Sequence, residues 1–238
     1  MKILSLDSSA TVASVALVED GKLLAEYTLN NGNTHSETLL PMVEYLLKTY
    51  GADISEVDAF AATTGPGSFT GVRIGAATIK GLAFGTDKPC IEVSTLEAIA
   101  ENLSFKGGLI CPVMNARRSQ VYTALFRSDG KNLTRLMPDS ALSIKELDEL
   151  LSAYGEPVAF AGDGYDVTLA ALKLTEVRPV CERLRHQSAY STAQVARRQY
   201  LAGNTDTDVS LSVNYLRPSQ AERTRMEKET AKNPSEGI

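Results

Sequence analysis

The residues able to do chemistry in this chain gather in a few short stretches. Asp7-Ser8-Ser9-Ala10-Thr11 puts a carboxylate and hydroxyls at a turn between two strand-like runs. With free backbone amides such a turn can hold a metal-bound phosphate, although Asp and Ser are favoured turn formers in any case. Gly65-Pro66-Gly67-Ser68-Phe69-Thr70-Gly71 joins a buried strand pattern to a helix pattern, and free amides at a helix start attract anions. The run lacks the Gly-Lys-Ser/Thr ending of a P-loop and is not GxGxxG, so its spacing argues only weakly for a nucleotide. Asn115-Ala116-Arg117-Arg118-Ser119-Gln120 sets paired arginines in a turn, either an anion or RNA contact or a solvated basic loop. Ala161-Gly162-Asp163-Gly164-Tyr165-Asp166 reads equally well as a second phosphate loop or a plain turn.

Metal and nucleophile chemistry fares worse. A helical metal site needs ligands at i and i+4, and four residues after His35 stands Leu39. The other histidine, His186, has no acid or cysteine at ligand spacing, and no GxSxG elbow or Cys/His motif occurs. His35 reads as a helix-start or interface residue. Cys90, Cys111 and Cys181 are far apart and odd in number, which argues for buried thiols rather than a disulfide framework.

The elements that must position these residues follow from periodicity. Runs 2–7, 12–18 and 22–29 are strand-like, with Asp20-Gly21 as a hairpin signal. Leu39, Val43, Leu46, Leu47 and Tyr50 recur at helical spacing, and Pro41 implies a helix starting near Thr38 or an irregular first turn. A strand at 57–64, a helix over 69–84, a strand at 90–93 and a helix capped by Ser94 and Glu97 complete a βββαβαβα order. The second half repeats it more loosely: strands at 109–114, 121–126, 132–136 and 157–161, a helix boxed by Ser143 and Glu146, and one capped by Ser191 with Gln194 that ends at Gly203. Mixed sheets covered by helices, an α/β architecture, are expected. Gly71 and Gly75 lie four apart, as do Gly81 and Gly85, and each helical glycine costs about 1 kcal/mol against alanine. Missing side chains admit a close neighbour, either within the fold or across a subunit boundary.

Composition narrows the partners. The formal net charge is −5, the wrong sign for holding a polyanion alone. Residues 1–105 carry 6 basic against 13 acidic side chains, and residues 106–238 carry 18 against 16. Any nucleic-acid contact must come from the second half or from a partner. No stretch approaches a membrane span and the start meets an acid too soon for a signal peptide, so a cytoplasmic protein with no membrane contact is expected.

Taken together, Asp7-Ser8-Ser9, His35-Ser36-Glu37-Thr38-Leu39-Leu40-Pro41, the run Gly65 to Gly75, Ala116-Arg117-Arg118 and Tyr215-Leu216-Arg217 resemble the TsaB (YeaZ) family of bacterial tRNA threonylcarbamoyladenosine (t6A) synthesis. The resemblance implies an actin-like ATPase (ASKHA) fold of two duplicated subdomains, here 1–105 and 106–217, with 218–238 as a flexible tail. It implies a non-catalytic subunit that activates a TsaD-type catalytic subunit, works with a TsaE-type ATPase, forms a homodimer when alone and touches tRNA indirectly or weakly. No cofactor is expected on the chain alone; ATP or ADP is possible at the junction of the complex. TsaD-type chains hold metal through a helical HxxxH pair; the matching positions are His35 and Leu39, so no metal site carries over, and no catalytic residue is assigned. The family pairs through its first two helices, which implies an interface of His35, Leu39, Met42, Val43, Leu46, Gly71, Val72, Gly75, Ile79 and Leu82. Two rivals from another class are a stand-alone small-molecule kinase or ATPase of the same fold, with Asp7 placing a metal-bound phosphate, and a metallopeptidase, against which Leu39 already argues.

Overall fold

The computed structural model describes residues 1–217; the expected tail at 218–238 lies outside the described residues. Strand β1 (Lys2–Asp7) pairs antiparallel with β2 (Ala13–Glu19), from Lys2 opposite Glu19 to Asp7 opposite Ser14. Asp20 and Gly21 both adopt positive φ, as an Asp-Gly hairpin turn requires, and lead into the half-exposed edge strand β3 (Lys22–Leu29). On the other side of β1 lie β4 (Ala59–Gly65) and β5 (Cys90–Ser94), both parallel to it, giving the order β3-β2-β1-β4-β5. Every residue of β4 is buried, which its unbroken run of small and apolar residues predicts. Helices α1 (His35–Tyr50), α2 (Phe69–Ala83) and α3 (Thr95–Glu101) connect and close this half.

The second half repeats the scheme. Strands β6 (Gly108–Asn115), β7 (Gln120–Ser128), β8 (Leu133–Ser143), β9 (Val158–Ala161) and β10 (Val177–Arg178) lie in the order β10-β9-β6-β7-β8. Their helices are α4 (Ile144–Ser152), α5 (Tyr165–Leu169) and α6 (Ala189–Leu201). Two copies of one strand order and one element order make this the actin-like ATPase architecture, with the duplication concealed at residue level. The last helix of each half is exchanged. The α3 residues Leu96, Ile99 and Ala100 pack with Ile110, Ala124 and Phe126 of the second sheet, whereas α6 lays Ala189, Ala193 and Ala196 on Ile3, Ala16 and Ile91 of the first.

Local expectations need four corrections. Helix α1 starts at His35 and runs through Pro41, which lies on its exposed face, where solvent satisfies the carbonyl that proline cannot bond. The cap of α6 is Ser188, whose hydroxyl accepts from Ser191 N–H; Ser191 instead donates to Asn102 (2.5 Å), and Gln194 donates to the Gly21 carbonyl (2.7 Å). Strand β8 extends to Ser143 through Pro138, tolerated because β8 is a sheet edge. Cys181 is exposed, unlike the buried Cys90 and Cys111. The Ser143–Glu146 capping box is present as the spacing predicts. No helix among the described residues is long and apolar enough to cross a membrane.

One buried carboxylate fastens the second half. Asp148 accepts from the backbone N–H of Lys173 (2.7 Å), Leu174 (3.0 Å) and Thr175 (2.9 Å) and from the Thr175 hydroxyl (2.8 Å). Burial alone would raise its pKa, but these donors prevail and hold the carboxyl below the usual range. Asp148→Ala strips three amides of their acceptor and is expected to cost about 3 kcal/mol, read as a lower urea midpoint. Because the folded-state pKa is depressed, this contribution is full above the ordinary Asp pKa and is lost as pH falls through the folded value.

Candidate functional site

The β1–β2 turn, the glycine-rich run, the β6–β7 turn, the loop after β9 and the closing segment meet at a cleft of about 640 Å³ between the halves. Five of the six stretches singled out in the sequence thus converge on one place, Tyr215-Leu216-Arg217 among them.

The glycine-rich run is pinned from below. Ser68 N–H donates to the Ser9 carbonyl (2.7 Å), the Ser8 hydroxyl donates to the Gly71 carbonyl (2.9 Å), and Gly71 N–H is capped by the Ser68 hydroxyl (3.2 Å). A Cβ on Gly67 would stand 2.5 Å from the Ser9 carbonyl oxygen, and one on Gly75 would stand 2.6 Å from the Ser8 hydroxyl. Gly65, at φ +127°, passes the Asn214 backbone as closely. The second half copies the device: Gly162, at φ +111°, and Gly164 pass against Val113 and Met114, and Gly164 N–H donates to the Val113 carbonyl (3.1 Å). Gly71 and Gly75 therefore serve contact within the chain, which corrects their placement at a subunit boundary.

Asp7 lies under this turn, fully buried. Its Oδ1 accepts from Ser9 N–H (2.9 Å) and the Ser9 hydroxyl (2.7 Å), while Oδ2 has no hydrogen-bond partner among the described residues. Burial pushes its pKa up to about 6. His35, at the start of α1, donates Nε2–H to the Ala10 carbonyl (2.7 Å) and so braces the same turn. Among the described residues no group of three or more His, Cys, Asp and Glu is placed to hold a metal ion.

The cleft mouth is basic and aromatic. Phe69 and Tyr215 stack at 4.8 Å, Arg73 lies 3.8 Å over the Phe69 ring and donates to the Tyr215 hydroxyl, and Arg217 donates to the Gln120 side chain (2.6 Å). Arg117, Arg118 and Ser119 all adopt positive φ (63°, 55° and 56°), a run of left-handed backbone that costs at least about 1 kcal/mol per residue. Asn115 holds it by accepting from Arg117 N–H (2.8 Å). Sequence patterning leaves Asn214 and the Phe69–Tyr215 stack unseen, because their partners are far apart in the chain; only the Tyr215-Leu216-Arg217 motif marks the segment.

Most of the expected interface residues turn toward the chain's own core, while His35 and Leu82 are half-buried. Leu39, Met42, Val43, Leu46 and Ile79 are core residues of the first half, Leu39 only 1 % exposed, Leu82 packs partly against the same core, and Val72 is buried against the cleft it lines. Helical spacing reveals an apolar face but not what it faces, and here that is the chain's own sheet. The outer faces carry Leu40 and Tyr45 (45 % and 58 % exposed) on α1, and Arg73, Ala77 and Gly81 on α2.

With this geometry the comparisons with known proteins agree. A family model described as TsaD, tRNA N6-adenosine threonylcarbamoyltransferase, matches residues 22–224. The chain is 34% identical over 177 residues to the tRNA threonylcarbamoyladenosine biosynthesis protein TsaB of Bacillus subtilis (strain 168), covering 74% of this chain and 76% of that protein. It is 40% identical over 135 residues to the protein of the same name from Escherichia coli (strain K12), covering 56% and 58%. Among solved structures, YeaZ from Pseudomonas aeruginosa is similar with a TM-score of 0.77 at 27% identity, over 90% of this chain and 99% of that one. The chain belongs to the TsaB (YeaZ) family of tRNA threonylcarbamoyladenosine biosynthesis proteins.

Proposed function

We propose that this chain is a non-catalytic subunit that holds a TsaD-type catalytic subunit in its working geometry for threonylcarbamoyl transfer to the adenosine beside the tRNA anticodon. Pairing uses the outer face of α1 and α2; the same face forms a homodimer when the catalytic subunit is absent, and a TsaE-type ATPase joins the pair in the cytoplasm. ATP or ADP, where present, belongs to the junction of the complex.

The observation that carries this reading is Gly81. It is exposed in the last turn of α2, a Cβ there would meet nothing within 4 Å among the described residues, and a helical glycine costs up to about 1 kcal/mol against alanine. No contact among the described residues offsets that loss. A neighbouring helix backbone pressed against Ala77 and Gly81, flanked by Leu40 and Tyr45, would do so. Leu39 adds support, since the position where the family's catalytic chains have a second metal ligand here holds an aliphatic core side chain.

Ala77→Arg tests the reading, because it puts a long charge on an exposed position without touching the core. Co-purification with a TsaD-type subunit is expected to fall more than tenfold, with the melting temperature of the single chain unchanged within about 2 °C. Undiminished capture would sink the scaffold. The rival, a stand-alone kinase or ATPase using Asp7, is separated by assaying the purified chain alone for ATP turnover.

A further inference from the structure

Among the described residues no carboxylate pairs with the cations at the cleft mouth. Arg117 and Arg217 line the cleft, Arg118 adjoins Arg117, and Arg73 stands over Phe69 and Tyr215, which also line it. Among the described residues none of these four arginines forms an ion pair, whereas Arg127, Arg135 and Arg198 do. Asp163, the acid in the lining, has Oδ1 engaged by Asn115 N–H (3.1 Å). In a chain of net charge −5 this is a local reversal of sign, and two of its members sit on backbone held in a costly conformation.

The aromatic rings decide what kind of anion fits. Tyr122 lies in the lining with Arg217 5.9 Å from its ring, beside the stacked Phe69 and Tyr215. Arginines alternating with aromatic faces suit phosphodiesters and unstacked bases together. At the start of α2, Ser68 N–H is spent on the Ser9 carbonyl and Gly71 N–H on the Ser68 hydroxyl, which leaves a smaller amide cradle for a free polyphosphate and makes ATP the competitor to test. A duplex hides its base faces and would leave the rings unused.

We propose that this mouth binds an unpaired nucleotide of an RNA strand, with Arg117, Arg118 and Arg217 on the flanking phosphodiesters and the Tyr122 ring against the base. The proposal deepens the scaffold reading, since a subunit that also grips the RNA helps present it to the catalytic partner. The negative net charge makes the grip short-ranged and dependent on that partner for the remaining attraction.

The test is fluorescence anisotropy with a labelled unstructured RNA oligonucleotide, its duplex, and ATP as competitor, titrated against the chain alone and against its pair with the TsaD-type subunit. Each lost phosphate contact lowers the slope of log K against log salt by about 0.7 for a single strand. Arg117→Ala with Arg118→Ala should therefore lower it by about 1.4 and weaken binding roughly fivefold or more at 0.1 M salt. Tyr122→Leu, which keeps the bulk packed beneath the ring, should weaken binding with the slope unchanged. An unaltered slope and affinity in the double variant, equal affinity for the duplex, or displacement of the RNA by stoichiometric ATP would each overturn the proposal. Pairing yield is recorded separately, so a chain that grips RNA but fails to pair refutes the scaffold alone.

Discussion

Gly71→Ala is expected to cost more than about 4 kcal/mol, or to leave the chain insoluble, although the exchange adds a single methyl group. The added Cβ would lie 2.1 Å from the Ser8 carbonyl oxygen, a backbone atom with no rotamer to escape into. Relief requires α2 to lift off the β1–β2 turn, and that breaks the Ser8–Gly71 and Ser68–Ser9 hydrogen bonds together. The matching control is Gly81→Ala. There the Cβ enters open space, and removing unfolded-state freedom from an exposed helical site should raise stability by about 0.5–1 kcal/mol. Urea midpoints of the two variants should move in opposite directions, and a Gly71→Ala protein within 1 kcal/mol of the parent would refute the packing described for α2.

Asp7→Asn should stabilise the protein at neutral pH. The carboxyl titrates near 6 in the folded chain against 3.8 in the unfolded one, so at pH 7.5 the folded state carries a charge it would shed if it could. That difference corresponds to about 3 kcal/mol. Between those two values the folded state binds more protons than the unfolded, so stability falls as pH rises through this window and is fully restored only below it. The amide keeps an oxygen for Ser9 and brings an N–H to the side where Oδ2 now has no partner. Melting temperature at pH 7.5 should rise by about 5–10 °C, with the gain shrinking through pH 6 and absent at pH 3.5. An equal gain at both extremes would mean that burial of the charge is not its source.

Much of this was legible before any coordinates. Asp20-Gly21, the Ser143–Glu146 box and the buried 57–64 run are local signals, and local signals survive folding. Gly71 and Gly75 show where such signals stop. Four-residue spacing is shared by Gly71 and Gly75, which have a close neighbour, and by Gly81 and Gly85, which have none among the described residues; the neighbour of Gly71, Ser8, lies 63 residues away, and no pattern along α2 names it. The same holds for α1, whose apolar stripe is plain while the surface it covers is not. Helix α6 is the extreme case. Its small residues at 189, 193 and 196 announce tight packing, but chain order cannot say that the packing is against the sheet of the other half. The Phe69–Tyr215 stack joins residues from different halves of the described chain and leaves no local mark.

The exchange of α3 and α6 has a mechanical consequence. Two bodies joined by a single strand can swing like a door, but here each body is clasped by a helix issuing from the other. The closing segment adds a further tether, from Asn214 on the Thr64 carbonyl to Arg217 on Gln120. Each lobe is thereby fastened to the other at several separate points along the chain.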